Sequence, residues 1–195
     1  MDPDPYTEKA AKDASPDEKV KEVEAIVDTV QTAMFTTRHS DGTLNSRAMH
    51  PSSKRGLVFE FIANNHSGKF EEINQDHACN VSFYDTSSTD WVSVAGEAKV
   101  INDHEEIKKI WSPSVKAWFG DLGDGKHTGN YDDPRVSAIQ VIPTEIRYWH
   151  AKSKLSQTVE IAKARVTGNT AVPGVLRVLN SSELTKLREL CGKNV

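Results

Sequence analysis

Valines at positions 20, 23, 27 and 30 recur near a helical period. They follow Ser15-Pro16-Asp17-Glu18, which has the form of a capping box with proline in the first turn, so a helix is predicted from about residue 15. The period then changes. In "TAMFTTRHSDGTLNSRAMH" two runs able to alternate flank Ser40-Asp41-Gly42-Thr43. Asp-Gly between such runs predicts a hairpin with strands at about 32–38 and 44–50. Residues 57–63 read as a third strand, 68–75 as a helix, "CNVSFYD" as a fourth strand and "DWVSVAGEAKVI" as a long fifth in which Gly96 marks a bulge or bend. Asp103 with Glu106 caps a helix carrying Ile107, Ile110 and Trp111, and Ser112-Pro113 restarts a helix toward Trp118 and Phe119. "RVSAIQVIPTEIRYWH" supplies a last long strand. Near the C-terminus, Asn180 and Glu183 frame a helix with Leu184, Leu187 and Cys191 on one face, a packing surface. Strands joined by one crossing helix favour a small barrel.

Composition narrows the function classes. A chain of 195 residues with 37% hydrophobic content suits one domain with a real core. Residues 1 to 24 hold eight acids and four bases, which leaves 28 − 8 = 20 acids against 24 − 4 = 20 bases in the remainder. A balanced body lacks the basic face of a nucleic-acid binder. Only Cys79 and Cys191 are present and no charged-then-apolar leader precedes "MDPDPYTEKAAKDASPDEKV", so an intracellular, cytoplasmic protein without a disulfide scaffold is expected. No apolar run approaches the ~18 residues that a membrane span needs.

Several motifs fail on their chemistry. "GDLGDGKH" satisfies G-x-x-x-x-G-K, but it places His127 where a magnesium-binding hydroxyl belongs and puts Asp121 and Asp124 inside the phosphate cradle. The seven histidines never pair at a ligand spacing, so no metal site is expected. Cys79 falls within a strand, where a buried structural thiol is the simpler reading. Asp132-Asp133 before Pro134 reads as a turn with solvated acids. What survives is "LVFEFIANNHSGKFEEINQ": a strand, a polar turn with Ser67 and Lys69, then a helix whose first N–H groups lack intrahelical acceptors, an arrangement suited to a phosphate. Arg47, on the second strand, is a guanidinium able to aim at the same anion.

"MFTTRHSDGTLNSRAM", the strand leading into "NNHSGK", "VSVAGEAKVINDHEEIKKIW" followed by "KAWF", and terminal "RYWH" together resemble the FMN-binding split barrels related to pyridoxamine 5′-phosphate oxidase. Within them the match is to the general stress protein branch and its fungal blue-light-inducible relatives, over about residues 17 to 165. The resemblance implies a mainly β fold with flanking helices, a six-stranded split β-barrel. The polar, Pro-containing first 14 residues read as a mobile N-terminus and the C-terminal residues as an appendage, so the expected division is 1–14, a flavin-binding barrel at 15–155 and a helical extension at 156–195. The resemblance also implies a homodimer with FMN at the subunit interface. Ser67, Lys69 and Arg47 would hold the phosphate, with Met49 beside Arg47 and with Asn64 and Asn65 along the cofactor's polar edge. Trp149 would approach the flavin from the partner chain, and Trp111 and Trp118 are further candidates for interface or flavin contact. Arg147-Tyr148 stands where the oxidases have an acidic-aromatic pair, and "HAKSKLSQ" replaces their Arg-Leu-His-type substrate signature. Vitamin B6 oxidase activity is therefore not expected. An FMN-dependent oxidoreductase with NAD(P)H as a candidate donor, a deazaflavin-dependent reductase, a haem protein and a non-catalytic flavin-binding regulatory or storage protein remain as alternatives; catalytic residues stay unassigned. Glu60, acidic between Val58 and Ile62, departs from the usual apolar strand, with the dimer seam as its one suggested place.

Overall fold

The computed structural model describes residues 10, 11, 14–168 and 170–192, so the tail expected at 1–14 lies largely outside it. Helix α1, Pro16–Val30, opens as the capping pattern demands, with the Glu18 N–H donating to Ser15 Oγ at 3.3 Å. Its Val23, Ile26 and Val27 are buried, and Val20 and Val30 pack at the edge of the same core. The Asp-Gly hairpin joins β1, Ala33–Arg38, to β2, Leu44–Met49. Gly42 takes a φ of +88° and Asp41 Oδ1 accepts from the Thr43 N–H, so the turn needs both residues of the pair.

Strand β3, Phe59–Asn64, leads through the polar turn into α2, Lys69–Gln75. Then come β4, Ala78–Tyr84, β5, Trp91–Ile101, the short helices α3, His104–Ile110, and α4, Pro113–Lys116, and β6, Val136–Ala151. The antiparallel order is β2-β1-β4-β5-β6-β3. A bridge between Ser53 and Glu60 brings the chain that leaves β2 back against β3, the strand at the other end of that order. The register slips at Ala95/Gly96, where a Cβ on Gly96 would stand 2.6 Å from the Ile142 carbonyl oxygen; the predicted bulge exists because two backbones meet there.

The C-terminal segment departs from its expected all-helical form. Helix α5, Lys154–Thr167, is followed by a seventh strand, β7, Gly174–Leu179, and only then by α6, Ser181–Gly192. Along one edge of β6, residues 136–141 pair with β3 and residues 146–151 pair with β7. Pro143, which has no N–H to offer a ladder, stands between the two partners.

Inward residues of the strands fill the barrel. Phe35 stacks on Phe61 at 5.5 Å between centroids and Phe59 meets Phe83 at 5.6 Å, with Val81, Val92, Val94, Ile139, Val141 and Ile146 around them. Each such side chain contributes about 1.5–3 kcal/mol on burial. A smaller cluster of Ile107, Phe119, Val136 and Ala138, with Ile62 and Trp111 at its margin, seats α3 and α4 on the outside of β3 and β6. Helix α1 packs on β4, β5 and β7, and α6 on β6. Ion pairs lock these pieces together: Lys19 Nζ lies 3.0 Å from Glu183, and Arg177 of β7 reaches Glu22 and Glu18. Tyr148 donates its hydroxyl to Glu22 at 2.7 Å.

Candidate functional site

Arg47 pairs with Phe35 across the hairpin, and Asn45 pairs with Thr37, which puts Arg47 and Asn45 on the inward row of β2. Helix α2 packs against β1 and β5 and lays Glu72 beside that row. A charged cluster results. Arg47 Nη2 donates to Glu72 Oε2 at 2.8 Å, and Arg47 Nη1 donates to Thr37 Oγ1. Thr37 Oγ1 donates to Glu72 Oε2 in turn, and Asn45 Nδ2 donates to Glu72 Oε1 at 2.5 Å. The Phe35 ring lies beneath the guanidinium, 5.9 Å from Cζ. Burial works to raise the Glu72 carboxyl, but the hydrogen bonds from Thr37, Asn45 and Arg47 outweigh it and hold the group below the ordinary range.

Lys69 completes the cluster. Its Nζ donates to Ser67 Oγ at 2.6 Å, and Ser67 Oγ donates to the Asn64 carbonyl at 2.8 Å. Burial, and then the Arg47 charge, push the Lys69 ammonium down; Glu72 opposes them. Arg47 and Lys69 thus bring two positive charges against the single negative charge of Glu72, leaving one in excess. The backbone N–H groups of Gly68 and Lys69 find no acceptor among the described residues. Helix α2 has only seven residues, so side chains rather than a helix dipole carry the charge. The donors present and the excess charge fit a phosphate group.

The structure therefore brings Arg47, Ser67 and Lys69 together, with Met49 partly buried at the end of the same strand and Asn64 at the entrance to the turn. Asn65 turns away. Its Nδ2 donates to the Pro134 carbonyl at 2.9 Å and to Ser137 Oγ at 3.2 Å, tying the turn to the start of β6. Trp149 lies on the outer row of β6, 8% exposed, and a Cβ on Gly174 of β7 would stand 2.5 Å from its ring. Trp118, by contrast, is 88% exposed. Thr37, Asn45 and Glu72 were missed in the sequence because their partners lie 10 to 35 residues away along the chain.

Other expectations resolve locally. Asp133 is fully buried rather than solvated: it accepts from the Gly129 N–H at 2.7 Å and pairs with Arg135 at 2.6 Å, and Arg135 also donates to the Phe119 and Gly120 carbonyls. That pairing closes the glycine-rich loop. Cys79 sits half-buried with Sγ 3.5 Å from the Gly96 carbonyl, and burial, aided by Glu97, pushes its thiol up to about 12. Glu60 accepts from Gln140 Nε2 at 2.9 Å on the outside of β3, where both line a cleft of about 600 Å³ with Arg55 and Lys109. Among the described residues, no group of three or more His, Cys, Asp or Glu could hold a metal ion and no helix is long and apolar enough to cross a membrane.

A family model described as pyridoxamine 5′-phosphate oxidase like matches residues 18–172. The chain belongs to the pyridoxamine 5′-phosphate oxidase-like family. Protein bli-3 of Neurospora crassa is 33% identical to it over 190 residues, which span 95% of this chain and 91% of that relative. The fold, a mainly β half-barrel sheet with flanking helices, matches that of split-barrel neighbours of this family. A protein related to general stress protein 26, from Clostridium acetobutylicum, superposes with a TM-score of 0.59 at 18% identity, covering 69% of this chain and 89% of that one. A pyridoxamine 5′-phosphate oxidase-related, FMN-binding protein from Nostoc punctiforme superposes with a TM-score of 0.53 at 14% identity, covering 73% and 94%. Those two likenesses concern the fold.

Proposed function

We propose that this chain is an FMN-binding, stress-type member of the family, and that the cluster at the start of α2 receives the FMN phosphate. The observation that carries the reading is the excess positive charge of Arg47 and Lys69 over Glu72, next to the Ser67 hydroxyl and the open N–H groups of Gly68 and Lys69. Lys69 and the turn N–H groups would grip the phosphate, and Arg47 would stand behind them. Met49, partly buried at the end of β2, and Asn64, at the entrance to the turn, would contact the rest of the cofactor. Bound there, a flavin supplies hydride or electron transfer. An oxidoreductase drawing on NAD(P)H is the active form of this reading, and a flavin-binding regulatory protein without turnover is its alternative.

The functional unit is proposed to be a homodimer. Met34 and Tyr84, 43% and 56% exposed, line a groove of about 360 Å³ with Trp91 on the outer face of the sheet. Helix α5 turns Leu155, Val159 and Val166 outward. Exposed apolar surface of this kind is what a second copy would cover. Trp118, 88% exposed, would be the tryptophan that crosses to the partner in this reading, Trp149 being 8% exposed beside Gly174 of β7.

The test begins with the absorption spectrum of freshly purified protein, which is expected to be that of a flavin; a deazaflavin or haem spectrum would overturn the assignment. Lys69→Ala is expected to weaken FMN about 10-fold to 100-fold, the worth of one charge-assisted hydrogen bond, with riboflavin affinity unchanged. Equal loss for both ligands would remove the phosphate from this turn. Light scattering is expected to give twice the 21.6 kDa chain mass. Anaerobic addition of NADPH or NADH, with bleaching of the flavin or without it, separates turnover from simple binding.

A further inference from the structure

We propose that Glu72 governs the strength of this anion seat: its buried carboxylate neutralises Arg47 in place and holds phosphate affinity below what the two cations would give without it. The inference rests on the phosphate reading of the seat. Glu72 is an unexpected group to find there, since a carboxylate repels the anion that Arg47 and Lys69 attract. Its side chain is 7% exposed, while that of Arg47 is 25% exposed. Three donors hold it: Thr37 and Arg47 on Oε2, and Asn45 on Oε1. A carboxylate fastened by three donors does not swing aside when an anion arrives, so the bound phosphate and Glu72 share the guanidinium.

Two consequences follow. The hydrogen bonds of Arg47 stay in register because Glu72 and Thr37 fix the planar fork, so Glu72 is a positioning residue for Arg47. The charge of the seat also stays at one excess unit rather than two, which lowers phosphate affinity.

A bland alternative exists. Glu72 and Arg47 could serve only to pin α2 to the hairpin, as buried ion pairs often do. Glu72→Gln separates the two roles. Its amide oxygen can accept from Thr37 and Arg47, and its new NH₂ faces Asn45, whose amide can rotate to present Oδ1. Every hydrogen bond is then kept and only the charge is gone.

The experiment is titration of Glu72→Gln, Lys69→Ala and the parent with FMN and with riboflavin, at low and at high salt. The expected result is that E72Q binds FMN about tenfold tighter than the parent at low salt, that the gain shrinks at high salt, and that riboflavin affinity is unchanged. A loosened fold does not yield tighter binding, so this outcome is not open to the structural alternative. Asn45→Lys provides a second route should E72Q fold poorly: an ammonium on the Oε1 side neutralises Glu72 without removing it, and the same tightening is expected. If FMN affinity is unchanged or weaker in the folded variants while Lys69→Ala still abolishes the preference for FMN over riboflavin, Glu72 is only a structural partner and the inference is overturned, with the seat intact. If Lys69→Ala leaves that preference untouched, the seat itself is wrong and this inference falls with it.

Discussion

Two of the places where this fold buries charged side chains, the clasp of α1, β7 and α6 and the start of α2, differ in how the charges balance. At the clasp of α1, β7 and α6, Lys19 meets Glu183, and Arg177 meets Glu22 and Glu18. Every cation there has a carboxylate, and Tyr148 adds a neutral donor to Glu22. At the start of α2, Arg47 is ion-paired with Glu72, whereas Lys69 donates to the Ser67 hydroxyl, lies over the Phe70 ring and has no carboxylate at ion-pair distance among the described residues, Glu72 attracting it only from further off. Both places tie distant segments together. Only the second keeps a charge in excess, and that surplus, rather than burial or the number of ion pairs, separates a binding seat from a fastening.

The sharpest way to break this contrast is Arg47→Ala, which strikes both functions of the seat. It leaves the 7%-exposed Glu72 without its cation, so a loss of about 3–5 kcal/mol in urea unfolding is expected, together with loss of the preference for FMN over riboflavin. Treating Arg47 as purely ligand-directed predicts an intact apo fold; the hydrogen bonds to Glu72, Thr37 and the Phe35 carbonyl argue otherwise. An Arg47→Ala protein as stable as the parent would mean that Glu72 does not depend on it.

Glu22→Ala makes the complementary cut. Arg177 keeps Glu18 but loses its main partner, and Tyr148 loses its acceptor, so a loss of about 2–3 kcal/mol is expected with no change in the ratio of FMN to riboflavin affinity. A changed ratio would show that the clasp reaches the seat and would dissolve the distinction between them.

The pairings of the clasp join residues 126 to 164 positions apart and were not legible in the sequence, whereas the caps, turns and the Ser67-Lys69 turn of the seat were. Short-range signals came through. Ser15 capping Glu18, the Asp41-Gly42 turn, the slip at Gly96 and the reciprocal bonds between Asn180 and Glu183 each involve residues a few positions apart or one backbone approach. Strand β7 did not announce itself, because "GVLRVL" is short and follows Pro173, and its ladder exists only where β6 offers a free edge past Pro143. Ser67 and Lys69 could be read as a pair from "HSGK". Glu72 could not, since nothing in "KFEEINQ" says which of two adjacent glutamates turns toward Thr37 and Asn45 across the hairpin. The outward stripe of α5 reverses the usual rule that apolar residues face the body, and a single chain carries no signal for surface that a partner would cover.

The smallest expected effect sharpens the comparison at its most delicate point, the ionisation of Glu72. Its folded carboxyl is held below its unfolded value of 4.5, so its contribution to stability is fully present above about pH 4.5 and is lost as pH falls through the lower folded value. Many carboxylates titrate in that window, Asp133 among them, and the parent's acid unfolding alone cannot isolate one. The difference between the parent and Glu72→Gln can, because groups common to both proteins cancel. Urea unfolding at a series of pH values is expected to find the parent more stable than E72Q at pH 7, with the gap steady down to about pH 4.5 and closing below it. A parent that instead gains stability relative to E72Q as the pH falls from 7 to 5 would mean that burial, not the hydrogen bonds from Thr37, Asn45 and Arg47, decides the ionisation of this carboxyl and sets its folded value above its unfolded one. Glu72 would then take up a proton near neutrality, the excess charge of the seat would rise as it did so, and phosphate affinity would climb on mild acidification instead of staying level.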